Sequence, residues 1–196
     1  MVNQWSDDPD VLDKIFVYGE KAVELDESQP TAHETLAYGH VARRDHGCAV
    51  AAARKAVEYA PNFAEGYITL AEVLCFSGEP AEAVLLVERA MRLNPRYTPN
   101  YLWALGQAHR LLGNYGDAIR NFQRVVTRNP DHLVTHLMLA ACFVETEQYA
   151  AAKVEAQEVL RISPDFSVDV SHQRSPYKLQ AETDRQTASL RRAGLA

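Results

Sequence analysis

A chain of 196 residues with 47% apolar and 23% charged side chains has the composition of a folded globular protein, which excludes the collagen-like and disordered classes. Its net charge of -6 comes without a basic stripe, so a nucleic-acid partner is not expected, and no apolar run approaches the roughly 18 residues of a membrane-crossing helix. The opening Met1–Trp5 lacks the basic and apolar regions of a signal peptide. Cys48, Cys75 and Cys142 have no short paired spacing, which predicts small buried hydrophobes in a reducing, cytoplasmic setting and no metal or other cofactor.

The first segment, residues 1–29, carries much of the acidity: residues 1–30 hold eight acidic and two basic side chains. Lys21-Ala22-Val23-Glu24 returns as Lys55-Ala56-Val57-Glu58. The stretch from about Asp10 to Asp26 therefore reads as the second helix of a repeat whose first helix is absent. Val11, Leu12, Ile15 and Phe16 would be incompletely covered there. Two explanations stand: the chain is a fragment of a longer protein, or this helix packs on a partner or a second copy. A terminal repeat normally presents a polar outer face, which favours the fragment.

From residue 30 the chain repeats itself. Pro61, Pro95, Pro130 and Pro164 are separated by 34, 35 and 34 residues, and Leu36, Leu70, Leu105 and Leu139 precede them at a constant offset. Small residues recur at Ala37, Ala71, Gly106 and Ala140, then at Ala49, Ala83, Ala118 and Ala152. Closely crossing helices need small groups at such points. Turn residues stand between, at Ser77-Gly78-Glu79-Pro80, Gly113-Asn114-Tyr115-Gly116 and Thr146-Glu147-Gln148. Each block reads as helix, turn, second helix and proline stop. After Pro164 the register ends. Residues 167–196 read as an irregular stretch and a capping helix, about Gln180 to Ala193, with a thin apolar face of Ala181, Ala188, Leu190 and Leu195.

These positions, with Tyr67, Leu102 and His136 in the fourth place of their blocks, resemble the tetratricopeptide repeat. The resemblance covers four units, residues 30–61, 64–97, 99–132 and 133–166. It implies an all-α, right-handed superhelical solenoid of antiparallel helix pairs that binds a protein segment without catalysis. A narrower likeness lies in Tyr101–Gly106, Tyr115–Ile119, Val87–Pro95, Pro164–Ser167, and Pro176-Tyr177-Lys178 with Leu190–Leu195. These stretches resemble the C-terminal repeat region of bacterial class III adenylate/guanylate cyclases, implying as the alternative a regulatory or oligomerising domain in cis. No cyclase domain and none of its metal-binding aspartates is present.

The resemblance places a partner groove on the first helices, at Glu34 and Tyr38, at Glu65, Ile68 and Glu72, at Asn100, Trp103, Gln107 and Arg110, and at Leu137 and Ala141. Trp103 is either a buried packer or an exposed groove anchor, and the second is the preferred expectation. Glu34 and Tyr38 replace the lysine and asparagine with which the chaperone-binding subfamily clamps a carboxylate. The expected partner is instead an extended or helical peptide with basic and apolar residues. His132 and His136 have the spacing of a metal pair, but no third ligand falls nearby, and a packing role is expected for them. No phosphate loop or nucleophile motif occurs, so no catalytic residue is assigned.

Overall fold

The computed structural model describes residues 11–196; the N-terminal residues on which part of the half-repeat expectation falls lie outside them. Among the described residues there are eleven helices and no strand. The helices are α1 (Val11–Leu25), α2 (Pro30–Ala42), α3 (His46–Tyr59), α4 (Ala64–Ser77), α5 (Pro80–Leu93) and α6 (Pro99–Leu111). They continue as α7 (Tyr115–Arg128), α8 (Leu133–Glu145), α9 (Tyr149–Ile162), α10 (Val168–Gln173) and α11 (Gln180–Ala193). The chain divides into two compact units after Arg96.

The proline spacing acts through the residue before each proline. Ala60, Asn94, Asn129 and Ser163 are the C-caps of α3, α5, α7 and α9, with φ between -125 and -139 and ψ between 71 and 87. A following proline ring disfavours the helical region at just this residue, so each second helix stops there. Other prolines start helices: Pro30, Pro80 and Pro99 occupy the first turns of α2, α5 and α6, where a missing N–H is harmless.

A second period of 34, 35 and 34 governs the turns inside the pairs. Arg44, Gly78, Gly113 and Glu147 all have positive φ, at 60°, 92°, 77° and 59°. Two of the four are not glycine, so the turn is imposed there by the packing of the flanking helices.

In the N-terminal unit α2 packs on α3, α4 packs on α3 and α2, and α5 packs on α4. The C-terminal unit repeats this with α6 to α9. The small positions lie at the crossings: Ala37, Ala49, Ala71 and Ala83 in the first unit, and Ala118, Ala140 and Ala152 in the second, are fully buried. At Gly106 a methyl group would stand 2.7 Å from the Phe122 ring, so the α6–α7 approach requires glycine. Phe16 of α1 is buried against α2, where a Cβ on Gly39 would meet it, while Val17, Tyr18 and Leu25 are exposed. Val11, Leu12 and Ile15 are half-buried, so that face of α1 is not fully covered.

Several local expectations differ from the structure, and Phe16, expected to be incompletely covered, is buried. Cys48 is exposed in the first turn of α3, not buried. On α11 the buried face is Thr183, Thr187, Ser189, Leu190 and Ala193, while Ala181 and Ala188 are exposed. The segment before it is partly helical, as α10. A helix held largely by hydrogen bonds leaves no alanine stripe to read.

Candidate functional site

In the N-terminal unit the first helices of two successive blocks, α2 and α4, lie side by side and exchange hydrogen bonds. The Thr69 hydroxyl donates to Glu34 Oε1 at 2.7 Å, and the Tyr38 hydroxyl donates to Glu72 Oε2 at 2.7 Å. Glu34, Tyr38 and Glu65 are half-buried, whereas Ile68 and Glu72 are buried, Glu72 at 3% exposure. Burial raises the Glu34 carboxyl above its ordinary pKa, the Thr69 bond opposes this, and the Glu65 charge adds to it. Burial and the Glu72 carboxylate hold the Tyr38 phenol well above its usual range. Three carboxylates thus share one face, in a unit that is itself acidic. Residues 1–96 carry 16 acidic and 9 basic side chains, a net -7, while residues 97–196 carry 10 and 11, a net +1.

The corresponding face of the C-terminal unit is formed by α6 and α8, and its side chains are spoken for differently. Asn100 is half-buried, and Leu137 and Ala141 are buried. Trp103 is only 7% exposed, and its Nε1 is buried without a hydrogen-bond partner, so the expected exposed anchor is a packed side chain. Gln107 and Arg110, at 1% and 4% exposure, both donate to the hydroxyl of Tyr177, from Arg110 at 2.7 Å; Arg110 Nε also donates to Gln107 Oε1 at 3.0 Å. Burial works against the Arg110 charge, but Tyr177, Cys142 and Glu182 favour it and its pKa lies above the ordinary value. Sequence reasoning assigned no role to Tyr177, which lies 67 residues beyond Arg110 outside the repeat register. No periodicity could have linked them.

The histidines serve the repeat. His33 Nε2, the Tyr67 hydroxyl and His136 Nε2 each bond a carbonyl six residues earlier, of Glu27, Pro61 and Pro130, at 2.8, 2.8 and 2.9 Å. His132 caps α8, its Nδ1 accepting from Thr135 N at 3.3 Å. The spacing that suggested a metal pair is therefore absorbed in capping and packing. A different trio, His40, Asp45 and Cys48, brings N, O and S donors within 4.8 Å of one another, the one such group among the described residues. Asp45 Oδ1 already accepts from Cys48 N at 3.1 Å as the N-cap of α3, which accounts for its position. Among the described residues, no helix is long and apolar enough to cross a membrane.

Comparison with known proteins agrees with this architecture. Family models described as tetratricopeptide repeat match residues 68–131 and 110–170. Curated proteins give no match. Among solved structures, PilW, a widely conserved type IV pilus biogenesis factor, superposes with a TM-score of 0.72 at 16% identity, over 93% of this chain and 82% of its own. A thermophilic TPR protein of Thermus thermophilus, TTC0263, gives 0.69 at 20% identity over 83% of this chain and 88% of its own. YrrB, a TPR protein with an unusual peptide-binding site, gives 0.57 at 19% identity over 89% and 90%. At these identities the likeness is one of fold. With helix pairs stopped by the same pre-proline residue and joined by the same left-handed turn, and with both family matches of one kind, the chain is a tetratricopeptide-repeat protein.

Proposed function

We propose that this chain is a non-catalytic protein-interaction module whose N-terminal unit docks a basic polypeptide segment, extended or helical, on the α2–α4 face. The repeats involved are residues 30–61, 64–97, 99–132 and 133–166, with a half repeat before them and a C-terminal segment, 167–196, after them. The observation that carries the reading is the pair of cross-helix bonds, Thr69 to Glu34 and Tyr38 to Glu72. They hold carboxylates in fixed places before any partner arrives, which lowers the ordering cost of binding. Hydroxyl donors orient a carboxylate without neutralising it, so the surface suits lysine or arginine side chains. The fold typically serves as a non-catalytic scaffold, and the similarity to a peptide-binding repeat protein supports a polypeptide ligand.

The half-buried carboxylates, Glu34 and Glu65, are the ones to alter; Glu72 is too deeply buried for charge reversal to be a clean probe. A display library of random 15-residue segments panned on the full chain is expected to enrich lysine and arginine. Removing both charges, with Glu34→Gln and Glu65→Gln, is expected to weaken the selected segments by about tenfold or more. Selection of neutral or acidic segments, or unchanged affinity in the double variant, would overturn the reading. The exposed Val17, Tyr18 and Leu25 of α1 support self-association through that helix as an additional property, for which light scattering across a concentration series is the check. The regulatory role in cis of a cyclase-like enzyme rests on sequence likeness alone, and no geometry favours it.

A further inference from the structure

Residues 167–196 do not close the C-terminal unit as another repeat helix would. In the repeats, a first helix stacks chiefly on the second helix of the pair before it: α4 on α3, and α8 on α7. By contrast, α11 packs chiefly on α8, a first helix, and only lightly on α9. It lies along the first-helix face of its own unit, the counterpart of the α2–α4 face.

The segment ahead of α11 reaches further along that face. Tyr177, 3% exposed, presents its hydroxyl to Gln107 and Arg110 of α6, and the Arg110 guanidinium carbon stands 5.3 Å from the centre of its ring. Both the edge and the face of the ring are read. Two N–H donors call for an acceptor oxygen, which phenylalanine lacks, and the buried guanidinium repels lysine.

Much of the remaining docking is polar. Ser189 bonds Glu145 Oε1 at 2.5 Å and Arg192 bonds the Tyr149 hydroxyl at 2.6 Å, while Ser175 with Thr183 (2.6 Å) and His172 with Thr187 (2.8 Å) fasten the segment to itself. Leu190 is the one large apolar residue that α11 buries, whereas α8 buries Leu137, Met138, Leu139 and Phe143. With Ala193 and Leu195 also buried, the segment joins a small apolar anchor to side-chain hydrogen bonds, and this mixed character is closer to an exchangeable contact than to a repeat core.

We propose that residues 174–196 are an intramolecular ligand of the α6–α8 face, and that Gln107 and Arg110 form a tyrosine-reading pocket that also accepts a partner segment carrying a tyrosine ahead of a polar helix. The proposal shares with the preceding section the idea that first-helix faces dock polypeptide. It concerns the other unit and the opposite chemistry, so Glu34→Gln with Glu65→Gln is expected to leave it untouched.

The test uses the full chain, its Tyr177→Phe variant and a fluorescent synthetic peptide of residues 174–196. The wild-type chain is expected to bind the peptide weakly, because its own segment competes. Tyr177→Phe removes the acceptor of two buried hydrogen bonds from the tethered copy and is expected to tighten peptide binding by at least about tenfold. A peptide carrying the same substitution is expected to lose that gain. Amides of α11 should exchange faster in the variant while those of α8 and α9 are unchanged, and random segments selected on the variant should carry tyrosine. Exchange that rises in α8, α9 and α11 together would make the segment a structural cap and overturn the proposal. Absence of the gain in peptide binding, or selected segments without tyrosine, would do the same. A concentration-dependent wild-type dimer that Tyr177→Phe abolishes would place a second copy's segment in the pocket and overturn the assignment to a partner.

Discussion

The Tyr38 hydroxyl donates to the Glu72 carboxylate at 2.7 Å, joining two first helices at a separation of 34 residues. One repeat length therefore lies between the two ends of a single hydrogen bond. The bond fixes the spacing of α2 and α4 and at the same time orients a buried charge.

Tyr38→Phe removes a hydrogen bond to a charged, buried acceptor and is expected to cost about 1.5–3 kcal/mol, measured by urea denaturation. Glu72→Gln keeps an acceptor at the same place and is expected to cost less than Tyr38→Phe. A double variant whose loss equals the sum of the two single losses would show that the bond does not couple the helices.

The left-handed turn positions predict opposite effects of opposite exchanges. Gly113 has φ 77° and open space around its would-be Cβ, so Gly113→Ala meets only backbone strain and is expected to cost about 1 kcal/mol. Glu147, at φ 59°, already bears that strain. Glu147→Gly is expected to be neutral or to gain up to about 1 kcal/mol in thermal or urea unfolding, the gain limited by the greater freedom of glycine in the unfolded chain.

His136 should titrate above an ordinary histidine. Burial disfavours its charged form, but Nδ1 lies 2.6 Å from Glu155 Oε2 and Nε2 lies 2.9 Å from the Pro130 carbonyl, so both ring nitrogens face acceptors and the net shift is upward from 6.5. A raised folded-state pKa stabilises the fold fully below the unfolded value, and the contribution is lost as pH rises through the folded value. Glu155→Gln is expected to lower the His136 pKa by NMR titration and to destabilise more near pH 6 than near pH 8. An equal loss at both pH values would assign the pair no charge.

The three thiols should separate by reactivity. Burial pushes the Cys142 thiol up to about 12 despite the nearby Arg110 charge, and Cys75 is also buried. Exposed Cys48 is raised by its hydrogen bond to Asp45. Alkylation under native conditions is expected to label Cys48 first and Cys142 only on unfolding. Asp45→Asn, which keeps a capping side chain, is expected to speed Cys48 labelling by lowering its pKa. Unchanged labelling would remove the Asp45 interaction as the cause.

The residues that repeat were readable because they are local in effect. A proline disfavours helix at the residue before it wherever the fold places it, which is why Ala60, Asn94, Asn129 and Ser163 end their helices alike. The alanines of the crossings recur because the same close helix crossing recurs in each repeat, where they are fully buried. On the proposed face the sequence pointed to Glu34, Tyr38, Glu65 and Glu72 as neighbours. Which carboxylate would be buried and which half-exposed was beyond it, because that depends on what α4 packs against.

Composition and period by themselves determined an all-helical array of paired helices with its helix stops and an acidic first part. Only the tertiary structure decided that Trp103 is buried, that His132 and His136 cap and pair, and that Tyr177 occupies Gln107 and Arg110. The physical reason is range. Periodicity encodes contacts that recur at one repeat length, whereas the docking of residues 167–196 happens once, through hydrogen bonds between side chains about 70 residues apart that leave no pattern in the chain.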